Sequence, residues 1–125
     1  MRPQRRLTIL RLAFWAALLF AFVMAIVPHP PELPGAPSDK IQHISAFAVL
    51  GAIGFFAYPR SRPLSLCVRL SLFGALIELV QAIPALGRDS DVLDWIADTL
   101  AAALILFLLH WSRGRWIKPS QGERP

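Results

Sequence analysis

The residues able to do chemistry in this chain fall in three short stretches. Asp39, Lys40 and His43 open an apolar run in SDKIQHISAFAVLG. Glu78 and Gln81 close a second run, and Arg88, Asp89, Asp91, Asp94 and Asp98 follow within LGRDSDVLDWIAD. Helical spacing puts Asp39 and His43 on one face, continued by Phe47 and Gly51. Gly74, Glu78 and Gln81 share a second face, and Asp91, Asp94 and Asp98 a third. Gly51 and Gly74 would let neighbouring helix backbones approach closely.

Two chemistries fit this set. As a binding site, Lys40, Gln81 and Arg88 would donate to a polar head while the aspartates hold them in place or accept from hydroxyls. As an enzyme, His43 or Glu78 would be the general base, with Asp94 orienting it or acting as acid. His43, Glu78 and Asp94 carry the imidazole and oxygen ligands that suit a divalent ion. No metal motif of fixed local spacing is present, however, and nothing in the sequence calls for a cofactor.

Plainer roles compete at several positions. Asp39 and Asp91 are residue types that cap helices, Asp89 reads as a solvated loop charge, and His43 alone would be a packed or interfacial histidine. A structural polar network locking three helices together explains much of the same pattern. His29, in a proline-rich loop, and His110, at the far end, do not join the cluster. A proton or cation path through Glu78 and Asp98 is disfavoured, because the other half of each run carries almost no polar residue.

The elements that position these residues are apolar and long. Runs at residues 7–27, 41–58, 64–83 and 92–111 each match the length of about 17–25 residues that spans a bilayer as a helix. The residues AVILMFWYC make up 55% of the 125-residue chain and charged residues 17%. Soluble domains carry about 25% charged residues. The expected fold is therefore all-α: one domain over residues 1–125, an integral membrane bundle of about four transmembrane helices. Residues 2–6 with three arginines, and Val23-Met24-Ala25, faintly resemble a signal peptide. The run is longer than the usual apolar core of about 7–15 residues, which favours an uncleaved first helix.

The net charge of +5 is unevenly placed. Arg2, Arg5, Arg6, Arg11, Arg60, Arg62, Arg69, Arg113, Arg115, Lys118 and Arg124 fall at one end of an alternating bundle, and only Lys40 and Arg88 at the other. The positive-inside rule then puts both termini in the cytoplasm and the acidic cluster outside. Nucleic-acid binding is disfavoured, because these arginines flank membrane runs. PHPPELPGAPSDK reads as a stiff extended loop, YPRSRP as a tight turn with Pro63 starting the third helix, and the tail beyond Trp111 as short, polar and frayed. Ser38 or Asp39 is the expected cap of the second helix and Ser90 or Asp91 that of the fourth. Trp95, Trp111 and Trp116 fall near interfaces, where indoles prefer to sit, while Trp15 lies deeper. The single cysteine, Cys67, excludes an internal disulfide.

Glu78 lies about 9 Å along its helix from Pro84 at the helical rise per residue, and Asp98 about as far from Asp91. A charged carboxylate facing lipid at mid-depth costs about 2.5–3.5 kcal/mol on insertion scales. Both should therefore face the bundle interior, a wet pocket or a cation.

SDKIQHISAFAVLG and GALIELVQAIPALGRDSDVLDWIADTLAA together resemble the VanZ-like family of small membrane proteins. The matching positions are Asp39, Lys40, His43, Phe47, Gly51, Glu78, Gln81, Arg88, Asp91, Asp94 and Asp98, within residues 38–102. Two positions depart from the family pattern: Asp98 stands where the family typically has asparagine, and Ala101 where it has glycine. The resemblance implies a four-helix protein of the bacterial inner membrane. It also implies, by analogy with the family's namesake, low-level resistance to the glycopeptide teicoplanin. The partners expected on this reading are the lipid bilayer and a lipid-linked envelope precursor.

Overall fold

The computed structural model describes residues 2–28, 34–35 and 37–116. It consists of α1 (Pro3–Ile26), α2 (Asp39–Ala57), α3 (Pro63–Gln81), a single 3-10 turn at Pro84–Leu86, and α4 (Val92–Trp116). All four α-helices are long and apolar enough to cross a membrane. Helix is the expected answer for such runs, because in lipid every backbone N–H and C=O must be satisfied within the segment. Most of the proline loop, including His29, lies outside the described residues, as do Lys118 and Arg124 in the tail.

The helix ends follow from local chemistry. Pro3 and Pro63 occupy the first turns of α1 and α3, where a missing N–H costs nothing. Ser38 caps α2, its Oγ accepting from the Ile41 N–H at 3.4 Å, and Asp39 supplies a negative charge to the first turn. Tyr58 ends α2 ahead of Pro59, whose ring disfavours helical geometry in the preceding residue. After α3, Gly87 takes a left-handed φ of 59° that lets the chain reverse into α4. The cap of α4 is Asp91, whose Oδ1 accepts from the Leu93 N–H at 2.8 Å. Ser90, the alternative cap, turns instead to α3. The expected boundaries shift by a few residues: α1 starts at Pro3, α3 stops at Gln81, and α4 continues beyond Trp111 to Trp116.

Consecutive helices run antiparallel. Arg11 near the start of α1 donates to the Ala57 carbonyl at the end of α2. Gln81 at the end of α3 donates to the Ala25 carbonyl at the end of α1, 2.9 Å away. The acidic residues therefore share one end of the bundle, and the arginines of α1, the α2–α3 turn and α4 share the other. α2 and α3 form the centre, each packed on both flanking helices, α1 and α4. The interior is built from Phe14, Phe47, Leu50, Leu70, Ile77 and Ala102, with Phe55, Leu66 and Leu106 towards the basic end. Leu12, Leu19, Phe20, Leu72, Leu79, Leu100, Leu104 and Phe107 point outward and stay more than half exposed. So much outward apolar surface is abnormal in water and normal against lipid tails.

Candidate functional site

Two glycines sit where the helices pack closely. A Cβ on Gly51 would lie 2.6 Å from Ile105 Cγ2, and one on Gly74 would lie 3.3 Å from both Phe47 Cζ and Trp95 Cδ1. α2 therefore sits close against α4, and the Phe47 and Trp95 rings close over α3.

Towards the acidic end, α2 and α4 are also in ionic contact. Lys40 Nζ lies 3.4 Å from Asp94 Oδ1, and His43 Nδ1 lies 3.5 Å from Asp98 Oδ2. The Lys40–Asp94 contact has ion-pair distance without hydrogen-bond alignment, so Asp94 Oδ1 keeps no hydrogen-bond partner among the described residues. The Asp98 side chain is 1% exposed, and its Oδ1 is likewise unpartnered. A buried carboxylate with an open oxygen is costly. The helix tolerates this one because the imidazole stands against its other oxygen.

Glu78 and Gln81 do different work. Glu78 Oε2 accepts from the Asp91 N–H at 2.8 Å and from the Ser90 hydroxyl at 3.0 Å. The same hydroxyl lies 3.0 Å from the Glu78 carbonyl, so Glu78 ties α3 to the start of α4. Gln81 ties α3 to α1 through the Ala25 carbonyl. A further polar joint runs between α3 and α4 at mid-helix. Trp95 Nε1 donates to the Ser71 carbonyl at 3.0 Å, and the Ser71 and Thr99 hydroxyls lie 2.9 Å apart. Trp95, expected near an interface, is thus half-buried between helices.

The three expected faces therefore do not meet at one point. Asp39, His43 and Arg88 line one large cavity. Asp98 is linked to it through His43, and Lys40 pairs with Asp94 between α2 and α4. Glu78 lines a separate, smaller cavity of about 250 Å³ between α3 and α4, along with Ser90 and Trp95. Asp91 caps its own helix, and Asp89 is exposed in the loop. His43, Glu78 and Asp94 do not come together as a ligand set: among the described residues no three His, Cys, Asp or Glu side chains converge as metal ligands.

The large cavity measures about 960 Å³ and lies between α1 and α2. Its walls are apolar: Ala17, Phe20, Ala21 and Met24 from α1, with Ala46 and Leu50 among those from α2. Its rim at the acidic end is polar, with Asp39, Gln42, His43 and Arg88. Arg88 Nη2 lies 3.6 Å from Asp39 Oδ2, the guanidinium side chain 9% exposed and the carboxylate side chain 63%. Sequence reasoning missed Gln42 and the whole α1 wall, and read Ser90 only as a cap. Gln42 and Ser45, one helical turn apart on the cavity side of α2, were the available signal. Alanines and phenylalanines facing a cavity look the same in sequence as those facing lipid.

Compared with family models, curated proteins and solved structures, the chain finds no match.

Proposed function

We propose that this chain is a VanZ-like multi-pass membrane protein that binds or modulates a lipid or lipid-linked envelope precursor at the outer face of the bacterial inner membrane, with both termini cytoplasmic. The observation that carries this reading is the cavity between α1 and α2, with apolar walls along the helices and a rim of Asp39, Gln42, His43 and Arg88 at one end. An amphiphile has the same division: the tail lies against α1 and α2, and the head meets the rim. Pockets that hold ligands are mostly apolar with a few placed polar groups, and span about 300–1,000 Å³.

Native mass spectrometry of protein extracted from membranes tests the binding. A discrete amphiphile adduct retained by the wild type and lost from a folded His43→Leu variant is the expected result; only a continuum of exchangeable lipid would sink the reading. The teicoplanin analogy is tested separately, by susceptibility of a sensitive host with and without the chain at matched membrane abundance. A raised threshold is expected, and no change ends the analogy.

One observation favours a second reading, an integral membrane enzyme acting on a lipid-linked substrate. His43 lines the cavity with Asp98 behind it, and a carboxylate that orients an imidazole is the arrangement of a general base. Here the orienting group would be Asp98, in place of Asp94. Product formation from a lipid-linked substrate, abolished in His43→Gln, would separate this reading from simple binding.

A further inference from the structure

The rim of the large cavity carries two opposite charges side by side, and their exposure differs. Arg88 is mostly buried where it lines the cavity, while Asp39, also on the rim, faces outward. Their 3.6 Å contact is longer than a charge-assisted hydrogen bond, which is about 2.7–2.9 Å. A guanidinium has five N–H donors in a planar fork that fits phosphate oxygens two at a time. Among the described residues, Arg88 makes that one long ion pair and no side-chain hydrogen bond. His43 lines the same cavity, and Gln42 presents an amide whose Nε2 already donates to the Pro37 carbonyl at 2.9 Å.

Resting on the lipid-binding reading above, we infer that the occupant of this cavity is a phospholipid with a phosphoethanolamine head, its phosphate on Arg88, its ammonium on Asp39 and one acyl chain between α1 and α2. Charge complementarity selects the head. A guanidinium and a carboxylate at one rim match a zwitterion, whereas a head with a net negative charge would meet Asp39 unfavourably. A primary ammonium can donate to Asp39, and a quaternary one has no N–H to donate. The apolar walls select a membrane lipid over free phosphoethanolamine. Phe20 of α1 and Val49 of α2 line the cavity and are also exposed on the bundle surface, so a chain can enter from the bilayer.

The full chain would be placed in nanodiscs of palmitoyl-oleoyl phosphatidylethanolamine, phosphatidylcholine or phosphatidylglycerol. Lipid retained after transfer to detergent would then be counted by native mass spectrometry. Phosphatidylethanolamine should remain at one per protein, about tenfold preferred over either other head, as expected for one charge-assisted hydrogen bond. Arg88→Gln should lose that lipid about tenfold. Asp39→Asn, at an exposed position, should keep phosphate binding and abolish the preference for the primary amine over choline. It also keeps the inference testable if Arg88→Gln does not fold. Retention of a different head in an Arg88-dependent way overturns the inference while leaving the lipid-binding reading intact. Equal, exchangeable binding of all three heads, with no other amphiphile retained from native membranes, overturns both.

Discussion

Glu78 of α3 holds the backbone N–H of Asp91, the residue that caps α4, at 2.8 Å from its Oε2. One carboxylate thereby fixes where α4 begins, and the positions of Asp94 and Asp98 follow from it. Glu78→Ala leaves the Asp91 N–H without its acceptor in a half-buried site and leaves the Ser90 hydroxyl only the backbone carbonyl of residue 78. The bundle should lose about 2–4 kcal/mol of stability. Glu78→Gln keeps an acceptor oxygen of the same reach and should stay within about 1 kcal/mol of wild type. Unfolding titrations in mixed micelles read both numbers. Equal loss in the two variants would mean that the charge matters and the cap does not.

Much of the architecture was legible in the sequence, and the reason is the strength of one constraint. Runs long enough to cross a bilayer leave little choice but helix, so each of the four was located to within a few residues. The rotation of one helix against another was less legible. Spacing places Glu78 and Gln81 on a shared face of α3, but it cannot say that Glu78 meets α4 while Gln81 meets α1. Likewise Asp94 and Asp98 share a face, but spacing alone cannot say that Asp98 meets His43 and Asp94 meets Lys40. Ser90 looked like a cap because its residue type suits one. A carboxylate thirteen positions earlier in the chain claims its hydroxyl instead.

The arginine-rich end should face the cytoplasm. In a Cys67→Ser background, Arg62→Cys in the α2–α3 turn should react with a membrane-impermeant maleimide only after cell lysis. Asp89→Cys in the loop before α4 should react in intact cells. The reverse pattern would invert the topology and place the large cavity's polar rim on the cytoplasmic side.

His43 and Asp98 separate charge from shape. Asp98→Asn keeps an oxygen for His43 Nδ1 at the same position and removes an ionisable group whose other oxygen is unpartnered. Stability should change by about 1 kcal/mol or less. Asp98→Ala removes the partner of a half-buried histidine and opens a hole in a fully buried position, for a loss of about 2–4 kcal/mol. Thermal unfolding followed by helical circular dichroism in detergent distinguishes them. A large loss in Asp98→Asn would show that the negative charge itself holds α2 to α4.

α2 packs closely on α4 at Gly51, and substitution there pits two opposing terms against each other. An alanine in a helix interior is favoured over glycine by about 0.5–1 kcal/mol. Against that, the new methyl would sit 2.6 Å from Ile105 Cγ2, an atom on a β-branched side chain with little freedom to rotate away. Overpacking of this kind costs about 1–3 kcal/mol, so Gly51→Ala should be destabilised by about 1–2 kcal/mol overall. Ile105→Ala alone should also destabilise, because it leaves a gap beside Gly51. Combined, the substitutions relieve each other: the new methyl occupies space the isoleucine has left. The double variant should be more stable than the sum of the two losses predicts, with a coupling of about 1 kcal/mol or more, of the size seen for residues in contact. Strict additivity in a double-mutant cycle would mean that α2 and α4 can separate at this point without cost, and that the ion pairs of Lys40 and His43 hold the polar end together without help from the glycine contact.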